Sequence, residues 1–112
     1  MGRKYSTLEG KKVIMEWNDV EHKCVITGAD WSVGLTIQEE GTKRYMFCEN
    51  GPKSPVMKGK EYNWGLHRDA MGYIYDNVKA GRPLLQRDIL AIYKKNAHIA
   101  GMASAEMCAF SQ

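Results

Sequence analysis

The sequence predicts an α+β fold, a small antiparallel barrel-like sheet of four or five short strands followed by two or three helices. Two observations carry that reading. Short β-rich runs recur about every 10–12 residues through residues 1–62. Beyond residue 63 the apolar spacing lengthens from two to about 3.6 residues. A chain of 112 residues has the size of one domain, so 1–62 and 63–112 read as the strand-rich and helical parts of a single domain.

The elements follow in order. Residues 1–7 are too few for a helix ahead of the sheet. Lys12 to Trp17 is a first strand, closed by the turn pair Asn18-Asp19, whose side chains tolerate left-handed backbone. His22 to Thr27 is a second, closed by Gly28-Ala29-Asp30. In the third, Val33 to Gln38, Leu35 and Ile37 alternate with Thr36 and Gln38, as in a sheet with one wet face. Arg44 to Cys48 is a fourth, ended by Asn50-Gly51-Pro52. Pro52 and Pro55 forbid a central strand between them, and Val56 to Tyr62 around Gly59 offers a short closing strand. Leu66, Ala70, Ile74 and Val78 then form an apolar stripe at helical spacing, widened by His67, Met71 and Tyr75. Asn63 is placed to cap that helix and Gly81 to end it. Pro83 suits the first position of a second helix, with Leu85, Ile89, Ile92 and Tyr93 as its stripe and Lys94 and Lys95 in its last turn. Ile99, Ala103, Met107 and Phe110 mark a third, weaker helix.

Charge and chemistry exclude more than they identify. Sixteen basic and thirteen acidic residues leave +3. The local basic excess lies at 43–60, where Lys43, Arg44, Lys53, Lys58 and Lys60 face Glu49 alone; such a segment is a solvated loop or a surface for phosphate. Cys24, Cys48 and Cys108 are odd in number and widely spaced, so no disulfide framework is expected, and Cys24 and Cys48 are expected to be at least partly buried. No apolar run approaches the length of a membrane span, and the N-terminus carries no apolar leader, so a cytoplasmic protein without membrane contact is expected. His22 and Cys24 lack the second close ligand pair that a zinc site needs. His67-Arg68-Asp69 spells the tripeptide of the kinase catalytic loop, but the glycine-rich loop and strand lysine that phosphoryl transfer requires are missing; His67 reads as a packing residue. No catalytic residue, metal or cofactor is therefore expected. Of Trp17, Trp31 and Trp64, at least one is expected to cover the barrel mouth or a binding surface.

Leu8 to Val13, followed by Cys24 to Ile37 with Gly28, Asp30 and Trp31 at its centre, resembles the first motif of the Sm/Lsm family of small β-barrels. Val56-Met57-Lys58-Gly59-Lys60-Glu61-Tyr62 resembles the second, an apolar residue followed by a basic residue and glycine. Gly34 stands where that family usually carries Asn. The resemblance covers roughly residues 8–62 and implies a non-enzymatic RNA-binding protein working as a homo-oligomer. Its nucleic-acid site would comprise Asp30, Trp31, Lys58, Gly59 and Lys60, with Lys58 toward phosphate and Trp31 stacked on a base. The alternative is a protein–protein assembly or adaptor protein of phage or mobile-element origin, without nucleic-acid binding.

Overall fold

Four consecutive alternating runs become four consecutive antiparallel strands in the computed structural model, which describes residues 2–96. The strands are β1 (Lys12–Trp17), β2 (Val20–Asp30), β3 (Gly34–Glu39) and β4 (Tyr45–Asn50). Asn18 and Asp19 both take positive φ, 53° and 63°, in the two-residue turn that pairs Trp17 with Val20. That mirror-image turn matches the right-handed twist of the strands it joins. Register shifts between Ile26 and Gly28, and again between Ile37 and Gln38, bend the ladder. The sheet thereby curls into a half-barrel.

The helical half follows the expected caps closely. Helix α2 (Trp64–Ala80) begins where the Asn63 side chain accepts a hydrogen bond from the Leu66 N–H at 2.9 Å. It ends at Gly81, φ 74°, whose N–H reaches the Val78 carbonyl while Arg82 N–H reaches that of Asn77. This paired closure satisfies carbonyls that the helix end would otherwise strand. The buried stripe of α2, with Leu66, Ala70, Met71 and Ile74, lies in one apolar cluster with Met15, Ile26, Ile37 and Phe47 of the sheet.

Three expectations are corrected. A one-turn helix, α1 (Gly2–Ser6), does precede the sheet. The apolar surface of Tyr5 and Leu8, both buried, holds it there, with Tyr5 packed on Trp31 at 5.1 Å and on Tyr75 at 5.6 Å between ring centroids. The closing strand is not at 56–62. That stretch is a run of turns, in which Met57 N–H bonds the Ser54 hydroxyl and Lys60 N–H the Met57 carbonyl. The fifth strand is instead β5 (Leu84–Leu85), inside the segment expected to open the second helix. It pairs parallel to β1, Met15 opposite Leu84, so the sheet is mixed, in the order β4-β3-β2-β1-β5. Leu84 is buried completely by this pairing, which delays the start of helix α3 (Gln86–Asn96) beyond Pro83. The expected third helix over Ile99–Phe110, and Cys108, lie outside the described residues.

Candidate functional site

Alternation along β4 sets the centre of the site. Phe47 pairs with Ile37 and Glu49 with Leu35, so Glu49 points inward with them. The inward stripe of α2 presents His67 to it. His67 Nδ1 lies 2.7 Å from Glu49 Oε1, with the side chains 0% and 4% exposed. Burial pushes the Glu49 carboxyl above its ordinary range, and the hydrogen bond and charge of His67 act against that rise. Aromatic rings enclose the pair. Trp31 lies 4.4 Å from the His67 ring, Tyr62 5.5 Å and Trp64 6.2 Å. Two polar atoms in this nest, His67 Nε2 and Tyr62 Oη, are buried without a hydrogen-bond partner. Burial, followed by the charge of Glu49, also raises the Tyr62 phenol, so its hydroxyl keeps its proton.

The residues expected to bind nucleic acid divide between two places. The Asp30 carboxylate accepts from the Ser32 and Val33 N–H groups at 2.7 and 3.1 Å, which shapes the loop between β2 and β3. That loop is bound to the next one by Lys53 N–H to the Ser32 carbonyl and Gly51 N–H to the Val33 carbonyl. Gly34, φ 106°, makes the crossing possible, because a Cβ there would overlap the Glu49 carbonyl oxygen. Trp31 is half-buried between Tyr5 and His67, so its ring packs on the protein's own side chains. Lys58, Gly59 and Lys60 form an exposed turn nearer α2, with Gly59 at φ 77° and open space around it. A cleft of about 460 Å³ brings Asp30 and Val33 together with Ser54, Pro55 and Val56, and the three turn residues are not among those lining it.

Of the three tryptophans, Trp64 faces outward. Trp17 is buried, whereas Trp64 is 54% exposed at the first position of α2, edge-on to Tyr62 at 5.0 Å and 84°. Lys58 and Lys60 precede it in the adjoining turn, and exposed Arg68 follows one helical turn later on the same face. Within 43–60 the one acid, Glu49, is buried with His67, but exposed Glu61 adjoins Lys60 and Arg68 pairs with Asp69 at 3.9 Å, so the surface around Trp64 carries both signs. Lys43 and Arg44 belong elsewhere: the six residues of β4 separate them from Lys53 by about 20 Å.

The remaining chemistry is dispersed. His22 Nδ1 bonds Glu39 Oε2 at 2.8 Å. Cys24 is buried, as expected, and burial together with Glu39 and Glu40 pushes its thiol up to about 11; Cys48 is half-buried. Among the described residues no group of three His, Cys, Asp or Glu side chains gathers as metal ligands, and no helix is long and apolar enough to cross a membrane. Sequence reasoning missed the Glu49–His67 pair. Its signals were the two-residue step from Phe47 to Glu49 and the place of His67 on an apolar stripe. No family model, curated protein or solved structure matches the chain.

Proposed function

We propose that this chain is a small non-enzymatic binding protein that holds single-stranded nucleic acid, RNA in particular, on the surface around Trp64. The observation that carries this reading is an outward-facing tryptophan at the start of α2, next to the turn that bears Lys58 and Lys60. An exposed aromatic face accepts any base by stacking, and flanking cations hold the backbone. Tyr62, edge-on at 5.0 Å, stiffens the Trp64 platform from behind. Trp31 supports the site from within instead of contacting a base. The homo-oligomer belongs to the same proposal, and the exposed apolar side chains Val20, Tyr45 and Leu90, on three separate elements, are the positions at which to probe for it.

The test is a titration of short single-stranded RNA at two salt concentrations, read by tryptophan fluorescence. Binding should weaken steeply with salt. Trp64→Ala should reduce affinity by about 1–3 kcal/mol. Lys58→Ala with Lys60→Ala should lower the magnitude of the log–log salt slope by about 1–2 units. Absence of binding at low salt refutes the reading.

A protein-adaptor reading rests on a different feature. The 460 Å³ cleft carries Val33 and Val56 on its rim, 51% and 49% exposed, and an apolar segment of a partner would cover them. Loss of partner capture on Val33→Ser, with RNA titrations flat, would favour it.

A further inference from the structure

We propose that a cavity beside the first half of β1 is a binding site for a small organic monoanion, a carboxylate carried on an apolar body. None of its lining residues belongs to the Trp64 surface, so the site does not depend on the nucleic-acid reading. Topology creates it. β5 pairs only with Met15 and Glu16, which leaves Lys12 to Ile14 without a strand on that side among the described residues. The 81–83 connection from α2 to β5 lines a cavity of about 600 Å³ together with this stretch of β1 and with β2. Pockets for small ligands span about 300–1,000 Å³.

The lining matches both halves of such a ligand. Ile14 of β1, Val78 of α2 and Pro83 of the connection give it apolar surface. Of its charged side chains, Lys12 is already paired with Glu40 at 3.6 Å. Lys23, opposite Ile14 on β2, and Arg82 have no ion pair among the described residues, and Glu21 is the one lining acid left to oppose them. Two uncommitted cations against one acid leave a surplus of a single positive charge, which suits a monoanion.

Arg82 is oriented before any ligand arrives. Its Nε donates to Asn77 Oδ1 at 3.0 Å, and the Asn77 amide donates to the Tyr73 carbonyl at 2.7 Å. Asn77 is buried, so this anchor does not swing away. The guanidinium plane is thereby fixed while its two Nη groups stay uncommitted. Their paired N–H bonds match the two oxygens of a carboxylate, and a fork fixed in advance loses less freedom on binding. Arg82 also borders a neighbouring cleft with Asp76 and Asp88 and pairs with neither. Arg82 and Lys23 are both exposed, so their attraction alone is worth little. The apolar walls must add to it, which favours a carboxylate with a hydrocarbon body over a bare anion.

The test is an amide NMR titration of the full chain with 3-phenylpropionate, with 2-phenylethylamine as the probe of similar shape and opposite charge. The carboxylate should give saturable shifts at Ile14, Lys23, Val78 and Gly81, and the amine should not. Arg82→Gln should weaken the carboxylate about fivefold, the worth of a good exposed pair. Lys23→Gln removes no ion pair of the free protein, so its melting temperature should hold while binding weakens about twofold. Inorganic phosphate should compete poorly, because it has no body to cover the apolar walls. Absence of saturable shifts at these residues overturns the site. An equal response to the amine, full-strength binding in both variants, or displacement by phosphate at equal concentration overturns the assignment of its ligand.

Discussion

Glu49→Leu tests the centre of the structure directly. Leucine keeps the volume of the side chain but removes the acceptor 2.7 Å from His67 Nδ1. The imidazole, 0% exposed, is then left in the core with neither nitrogen partnered. Breaking one side of a buried pair costs about 3–5 kcal/mol, a large share of the roughly 5–15 kcal/mol that holds a domain folded. At about 4 °C per kcal/mol for a domain of this size, the melting temperature should fall by about 12–20 °C. Urea unfolding read by tryptophan fluorescence suits the measurement, because Trp31 packs 4.4 Å from the His67 ring and reports its loosening. The double variant Glu49→Leu with His67→Leu removes both polar groups and should recover to within about 1 kcal/mol of the parent, since apolar replacement of a whole buried pair is often neutral. A single variant within about 1 kcal/mol of the parent, or a double variant no better than the single, would refute the pairing.

Two further outcomes are expected. The Glu49 carboxyl is raised above its ordinary value of 4.5 in the folded state, so over the window just above that value the folded protein binds more protons than the unfolded chain. Its contribution is complete below 4.5 and is lost as pH rises, by up to about 1.4 kcal/mol per pH unit; urea midpoints across pH should decline in that window, and Glu49→Gln should flatten the decline. Gly34→Ala should fail to give a folded, soluble protein, because the new Cβ overlaps the Glu49 carbonyl at φ 106°. Gly59→Ala, with open space at φ 77°, should cost about 1–2 kcal/mol, and equal melting temperatures for the two variants would contradict the close backbone crossing.

What the sequence determined alone was whatever neighbouring residues could settle. Lys12–Trp17 alternates, so it is a strand. Asn18-Asp19 tolerates left-handed backbone, so it turns. Asn63 and Gly81 bracket α2 because capping needs only residues a few positions away. The resemblance of residues 8–62 to a small-barrel family drew attention to Asp30, Trp31 and Lys58–Lys60, but it could not tell which aromatic faces outward. That was decided by tertiary packing. Tyr5 and Leu8 make a helix of residues too few to form one in isolation, because the sheet buries them. Leu84 becomes a strand because the edge of β1 is open beside it. Trp31 is drawn inward between Tyr5 and His67, which leaves Trp64 at the surface. Glu49, an ordinary acid in a basic segment of the sequence, becomes the partner of a histidine 18 positions away. Each of these depends on which apolar surface is nearest in space. Periodicity indicates the side a residue faces and carries no information about what lies opposite it.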